Sequence, residues 1–165
     1  MIVEPKKILI VEDERPLARA LELKLSSIGF KTRTAFDGQE ALDYLKKDKF
    51  DLLLLDLVMP NLSGFDVLLK LQQSKNKVPI IITSNLGQED DLKKVQAFGV
   101  LKYFIKSDVG IIEIVNYVRD FLKNSPKNKI STPSSNSNLN SNTDPSLTPK
   151  TKLKSKAKIS KKIKK

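Results

Sequence analysis

The chain has 165 residues, enough for one domain of ordinary size and an additional segment. It contains no Cys, His or Trp, which excludes disulfides, thiolate or imidazole metal sites, and catalysis by a Ser-His pair or a Cys nucleophile. Its formal net charge of +11 is unevenly distributed, because residues 1–124 carry 19 basic and 18 acidic residues whereas residues 125–165 carry 11 Lys and one acid. The sequence therefore predicts a nearly neutral body and a basic segment.

Five short apolar runs recur through the body and predict β-strands. Four of them are continuous or nearly so, which is typical of strands buried on both faces. The second run is more polar, which indicates a strand near an edge of the sheet. In chain order the runs are 8–11, 32–35, 52–55, 80–83 and 103–105.

Apolar residues at helical spacing follow each of these runs. Gly29 and Gly99 are placed to end the first and fourth helices, and Asp108 is placed to cap the fifth. Five strands that alternate with five helices predict an α/β fold with a parallel sheet and right-handed crossovers.

The composition changes at Ser125. Of the 25 residues 125–149, 19 are Ser, Thr, Asn or Pro, a composition that predicts a flexible linker. Residues 150–165 hold nine Lys and no acid, and they lack a helical period, so we expect a disordered tail. The body is assigned to residues 6–124. No run has the length of a membrane span or the character of a signal peptide, and we expect a cytoplasmic protein.

Polar side chains follow four of the five predicted strands. In open parallel sheets, ligands bind outside the carboxyl ends of the strands, so these side chains are expected to border one cleft. They are Glu12 and Asp13 after the first strand, Asp56 after the third, Thr83 and Ser84 after the fourth, and Lys106 after the fifth.

Three carboxylates, hydroxyls and one ammonium suit a magnesium ion and a phosphoryl group. Mg²⁺ prefers oxygen ligands and retains several waters. A carboxylate can attack phosphorus to form an acyl phosphate, and a metal ion, a hydroxyl and a Lys can then neutralise the transferring oxygens. A single Asp at the end of a strand is more often a helix cap, so the prediction depends on the whole set.

The body resembles a receiver domain of two-component response regulators, of the chemotaxis-regulator type. The resemblance covers about residues 6–124 and implies a flavodoxin-like, doubly wound (βα)5 fold with strand order 2-1-3-4-5. Four motifs carry it in the order and spacing of the family. They are ILIVEDE (8–14), LLLDLVMP (53–60) followed by Gly64, PIIITS (79–84) and YFIK (103–106).

The resemblance implies a role for each site residue. Asp56 is expected to be the phosphoacceptor, and Lys106 is expected to pair with the phosphoryl group. Glu12 and Asp13 form the implied acidic pair, with Asp13 a direct Mg²⁺ ligand. Asp56 and the backbone carbonyl of Val58 are the other implied metal ligands.

The resemblance also implies a two-state switch. The switch hydroxyl falls on Ser84, with Thr83 as the alternative, and Tyr103 is the aromatic that moves with it. Phosphorylation by a sensor histidine kinase or a phosphotransfer protein is then expected to alter the α4-β5-α5 face, residues 88–124, where an effector or a dimer partner binds. Such a domain is not a conventional enzyme, since it catalyses only its own phosphorylation and dephosphorylation.

One position departs from the usual family pattern, and two others bear on the lifetime of the acyl phosphate. Ser107 stands where the family usually has a proline after a cis peptide bond, and we expect a trans bond here. Val58 and Leu86 occupy the positions that influence the attacking water, and neither side chain can orient water by hydrogen bonding. We therefore expect a fairly long-lived acyl phosphate, and Val58→Asn is expected to speed its loss.

Other interpretations remain open at this stage. The body can be a phosphorylation-independent scaffold, or a haloacid-dehalogenase-like phosphatase, although Val58 stands where that class has a second Asp. The tail, Lys150–Lys165, has the charge to bind nucleic acid without sequence preference. Binding to an anionic membrane or another polyanion, and a tail without a specific partner, are the alternatives.

Overall fold

The structure is a computed structural model that describes residues 4–124 of the chain. The predicted linker (125–149) and the predicted Lys-rich disordered tail (150–165) lie outside the described residues. The linker and the tail therefore remain sequence-based predictions.

Five parallel strands form one sheet in the order β2-β1-β3-β4-β5. This confirms the predicted flavodoxin-like arrangement and its strand order. The second strand is at one edge, as its polar composition predicts. The strands are β1 (Lys7–Val11), β2 (Lys31–Ala35), β3 (Leu52–Leu55), β4 (Ile80–Ser84) and β5 (Lys102–Ile105).

One helix follows each strand, as the alternating pattern predicts. None of the helices found between residues 4 and 124 has the length and hydrophobicity required to cross a membrane. The helices are α1 (Arg15–Ser27), α2 (Gly38–Lys47), α3 (Gly64–Gln73), α4 (Glu89–Gln96) and α5 (Ile111–Asn124).

The core has two halves, one on each face of the sheet. Alternate residues of β1 contribute to them: Leu9 and Val11 pack with residues of α2, α3 and α4, whereas Ile8 and Ile10 pack with residues of α1 and α5. This follows from the two-residue period of a strand. Because β1, β3 and β4 are covered on both faces, their apolar runs are continuous and fully buried.

The apolar run of β5 predicts a strand buried on both faces, which is wrong, although the predicted strand order correctly places β5 at an edge of the sheet. The strand lies at the second edge of the sheet, where Lys102 is exposed, Tyr103 and Ile105 are partly exposed, and Phe104 alone is buried. A short apolar run shows only that the residues of the strand are hydrophobic. It does not show whether the strand has a neighbour on both sides in the sheet.

Local hydrogen bonds explain most of the helix boundaries. Gly29, at φ 97°, ends α1 in a conformation that glycine adopts without strain. Asp37 caps α2, and Ser63 caps α3 through a reciprocal capping box. The prediction that Asp108 caps α5 is wrong. The first α-helical hydrogen bond of α5 runs from the N–H of Ile114 to the carbonyl of Gly110, so the cap position is Gly110.

Candidate functional site

Backbone hydrogen bonds fix the predicted site residues at the carboxyl ends of the strands. The N–H of Glu12 donates to the last carbonyl of β2 (3.0 Å), that of Asp56 to the last carbonyl of β1 (2.9 Å), and that of Lys106 to the last carbonyl of β4 (3.0 Å). Each residue thus continues the hydrogen-bond ladder by one step. The side chains therefore leave from rigid positions rather than from free loops.

Four side chains meet at the carboxyl ends of the strands and form what we call the acidic pocket. They are those of Glu12, Asp13, Asp56 and Lys106. Carboxylate oxygens of the three acids lie within 4.8 Å of one another. The Lys106 Nζ atom donates to Asp56 Oδ2 at 2.6 Å and lies 2.8 Å from Glu12. Glu12 and Asp56 are 1% and 4% exposed, so these charges interact with little screening by solvent.

The electrostatics of the pocket follow from burial and from this ion pair. Burial raises the pKa of Glu12 from 4.5 to about 7, against the opposing effect of Lys106. Burial acts to lower the pKa of Lys106, but its hydrogen bonds to Asp56 and Glu12 outweigh burial and raise the pKa above 10.5. The lysine therefore stays protonated, whereas burial makes the ionised form of Glu12 less favourable than in an exposed glutamate.

The residues of the pocket fit a divalent cation. If all three carboxylates are ionised, they and the one ammonium carry a formal excess of two negative charges, which a divalent ion would balance. All the side-chain donors are oxygens, the ligands that Mg²⁺ prefers. The pKa of Glu12 is raised chiefly by burial and to a smaller extent by the nearby charge of Asp56.

The loop after β3 holds Asp56 from both sides. The N–H of Val58 donates to Asp56 Oδ1 at 3.0 Å, and the Val58 side chain is 55% exposed beside the carboxylate. Gly64 begins α3 against the loop, and its N–H donates to the carbonyl of Leu57 at 3.1 Å. A Cβ atom at Gly64 would lie 2.1 Å from the backbone oxygen of Asp56, so this approach requires glycine.

The predicted switch residues share a partner in the loop after β4. The Tyr103 hydroxyl donates to the carbonyl of Leu86 at 2.5 Å, and the N–H of Leu86 donates to Ser84 Oγ at 3.4 Å. Burial raises the pKa of Tyr103 above 10.0, with Ser84 acting in the opposite direction. Thr83, the alternative, is also buried at 2% exposure, so burial does not separate the two hydroxyls.

Two local features complete the site. The peptide bond between Lys106 and Ser107 is trans, as expected in the absence of proline. Glu14, to which the sequence analysis gives no role, places Oε1 3.7 Å from Lys106 Nζ with its side chain 60% exposed. Its position two residues after Glu12 suggests that it lies near the site. The sequence does not show that the chain turns there toward Lys106.

Comparison with known proteins is consistent with this geometry. Residues 8–119 match the model of the family described as "Response regulator receiver domain". Response regulator ArlR of Staphylococcus aureus is 35% identical over 124 residues, which are 75% of this chain and 56% of that protein. The chain therefore spans about half the length of the curated relatives it matches.

Solved structures of receiver domains are also similar. The Francisella response regulator 1452 receiver domain is 28% identical, with a TM-score of 0.66 over 72% of this chain and 97% of that one. Response regulator TrrA of Thermotoga maritima, solved in complex with Mg²⁺-BeF, is 28% identical, with a TM-score of 0.60 over 70% of this chain and 97% of that one.

Proposed function

The chain belongs to the family of response regulator receiver domains, and we propose that it is a phosphoaccepting signalling module that works through Asp56. The observation that carries the proposal is the contact of Lys106 Nζ with Asp56 (2.6 Å) and Glu12 (2.8 Å) in a buried pocket. We assign the receiver to residues 6–124, followed by the linker (125–149) and the Lys-rich tail (150–165).

In the proposed reaction, a carboxylate oxygen of Asp56 attacks the phosphorus of a phosphorylated donor. The O–P bond to Asp56 forms as the bond from phosphorus to the donor breaks, and the electron pair of that bond leaves with the donor. The donor is a sensor histidine kinase or a phosphotransfer protein, and the broken bond is then P–N. A small acyl phosphate can replace it in vitro.

The other residues of the pocket support this transfer. The ammonium of Lys106 already faces Asp56 and would neutralise an oxygen of the arriving phosphoryl group. Bound Mg²⁺ would supply further charge neutralisation, and the groups proposed to hold it are Glu12, Asp13, Asp56 and the Val58 carbonyl. The N–H of Val58 orients the Asp56 carboxylate.

The proposed output is a change in the α4-β5-α5 face, residues 88–124. Ser84 and Tyr103 both bind Leu86, so movement of the Ser84 hydroxyl toward a phosphoryl group would release or shift the partner of Tyr103. The phosphate shifts the equilibrium between two states only by its differential affinity for them. An effector protein or a second copy that prefers one state reads the signal.

Receiver domains are signalling proteins rather than conventional enzymes. We propose that the only reactions at Asp56 are self-phosphorylation and self-dephosphorylation, in a cytoplasmic setting. The alternative is a scaffold that binds partners without phosphorylation, and it predicts no role for the charge of Asp56.

A second proposed function belongs to the Lys-rich tail, Lys150–Lys165. The observation in its favour is the separation of charge along the chain, because a nearly neutral body precedes nine Lys in sixteen residues with no acid. Such a segment is suited to the phosphate backbone of nucleic acid without sequence preference. A membrane surface or another polyanion is the alternative partner.

The phosphoacceptor is tested by the intact mass of the full chain after incubation with acetyl phosphate and Mg²⁺. We expect the gain of one phosphoryl group in the wild type, and no gain in Asp56→Asn or in the presence of a chelator. Asp48→Asn is the matched control, because it removes a carboxylate at the opposite end of the sheet. An equal gain in Asp56→Asn would contradict the assignment of Asp56 as the phosphoacceptor, and no gain in the wild type with any donor or kinase would favour the scaffold.

A further inference from the structure

We infer that the folded body adds its own contacts to the phosphate backbone of duplex nucleic acid, through lysines at the amino ends of the strands. This inference rests on the proposed binding of nucleic acid by the tail. It assigns that partner to a surface of the receiver that lies at the end of the sheet opposite the acidic pocket.

The surface is a cleft of about 890 Å³ where the segments before β1, β3 and β4 meet the end of α5. We call it the lysine cleft. Two aspartates, Asp48 and Asp51, also line it. The lysines that line it are Lys6, Lys46, Lys47, Lys49 and Lys77.

Both aspartates of the cleft already have basic partners. Asp48 pairs with Arg33 at 3.1 Å, and Asp51 pairs with Lys6 at 3.0 Å. The negative charges of the two aspartates are therefore matched by Arg33 and Lys6. The other lysines of the cleft have little negative charge near them.

Three of the lysines are available to an external anion. Lys47, Lys49 and Lys77 are exposed and form no ion pair with any residue in the range 4–124. Three unpaired ammonium groups around one cleft create a local excess of positive potential on a body that is otherwise nearly neutral. A polyanion is the ligand that such a surface favours.

The position of the cleft connects it with the basic segment. Leu122, in the last turn of α5, lines the cleft, and α5 ends at Asn124. The part of the chain that carries eleven lysines begins at the next residue. A polyanion that binds this segment is therefore held near the cleft by chain connectivity, which raises its effective concentration there.

The character of the cleft favours duplex backbone over a membrane. A polybasic surface generally needs an apolar or lipid anchor to hold a bilayer stably. The large apolar side chains that are exposed in the described part of the chain do not line this cleft. They are Leu23, Ile28, Val58, Leu69, Leu101 and Ile112.

The test measures the affinity of the full chain for a fluorescent DNA duplex by anisotropy, over a series of NaCl concentrations. The cleft variant replaces Lys47, Lys49 and Lys77 by Gln. The matched control replaces Arg19, Lys24 and Lys70 by Gln, which removes the same charge from α1 and α3. A tail variant replaces Lys161, Lys162 and Lys164 by Gln.

We expect the cleft variant to flatten the slope of log K against log[NaCl] by about 2–3, since each phosphate contact contributes about 0.9. The control should keep the slope of the wild type within about 0.5. Single Lys→Gln variants at the three positions should each flatten it by about 0.9, and circular dichroism checks that each variant is folded.

The outcomes separate this inference from the proposed function on which it rests. If the tail variant loses affinity but the cleft variant matches the control, the inference is overturned and binding by the tail stands. If the wild type shows no salt-dependent binding to the duplex, both are overturned. Binding to anionic phosphatidylserine vesicles but not to the duplex would overturn both in favour of a membrane partner.

Discussion

The two ends of the sheet carry opposite charge and use it in different ways. At the carboxyl ends, Glu12 and Asp56 are almost fully buried and share one ammonium, that of Lys106. At the amino ends, the lysines of the lysine cleft are mostly exposed, and three of them form no ion pair within the described residues.

The two ends of the sheet differ in how strongly their charged side chains interact with one another. Buried charges a few ångströms apart interact strongly, so the loss of one charged group from the acidic pocket changes the electrostatic environment of the others. Exposed lysines are screened by salt and act nearly independently. Single substitutions should therefore be decisive in the pocket and incremental in the cleft.

After the loss of phosphorylation in Asp56→Asn, the largest effect on the reaction is expected for Asp13→Asn. Loss of this carboxylate removes the proposed direct metal ligand from the pocket, and the rate of phosphorylation by acetyl phosphate should fall at least about a hundredfold. The rate is measured by intact mass at fixed Mg²⁺. We also expect Mg²⁺ to raise the Tm of the wild type by binding the folded state, and this rise should be absent in Asp13→Asn.

Glu14→Gln is the matched control for Asp13→Asn. It removes the same charge from the next residue, whose side chain is 60% exposed and lies 3.7 Å from Lys106. The control should keep most of the rate and of the Mg²⁺-dependent rise in Tm. Equal losses in the two variants would mean that total charge, rather than a specific ligand, governs the pocket.

A large effect on stability is expected for Gly64→Ala. The added Cβ would lie 2.1 Å from the backbone oxygen of Asp56, so α3 or the Asp56 loop must move, and the free energy of unfolding should fall by about 3 kcal/mol. Urea denaturation measures it. The rate of phosphorylation should fall as well, because the displaced loop carries Asp56, the proposed phosphoacceptor.

Gly110→Ala controls for the loss of a glycine. No atom lies within 4 Å of a Cβ placed there, and the change in unfolding free energy should stay within about 1 kcal/mol. If both alanine variants had similar stability, the close approach of α3 to Asp56 would not constrain the site.

A smaller effect is expected for Val58→Asn. The Val58 side chain is 55% exposed beside Asp56 and cannot orient water, whereas an amide can. Loss of the phosphoryl group, followed by mass after removal of the donor, should become several-fold faster. Leu69→Asn, which changes another exposed apolar residue, should leave the rate unchanged, and an unchanged rate in Val58→Asn would contradict the idea.

No effect on phosphorylation is expected for the cleft variant, Lys47, Lys49 and Lys77→Gln. These residues lie at the opposite end of the sheet from Asp56, and their charges are screened by solvent. The mass gain with acetyl phosphate should match that of the wild type. A several-fold change would show that the two ends are coupled.

Much of the fold was predictable because its signals are local. A parallel strand that is covered on both faces needs an apolar run, and a polar residue after such a run must lie at the carboxyl edge of the sheet. The sequence alone therefore predicts that Glu12, Asp56 and Lys106 lie together. Their roles depend on the resemblance, and they remain proposals.

Features that depend on contacts between distant segments could not be predicted. The apolar run of β5 does not show that much of the strand is exposed, and Asp108 has the chemistry of a cap at a position where the helix has not yet begun. The closeness of Gly64 to Asp56 depends on how α3 packs. The lysines of the cleft are scattered in sequence, and only the fold brings them together.

The most direct test of the central claim traps the phosphoryl group on its residue. The full chain is phosphorylated with acetyl phosphate and Mg²⁺, the acyl phosphate is reduced with borohydride, and the peptides are mapped by mass spectrometry. We predict reduction at Asp56 alone, and none when a chelator removes Mg²⁺. Reduction at Asp13, at Asp48 or at no residue would contradict the assignment of Asp56 as the phosphoacceptor.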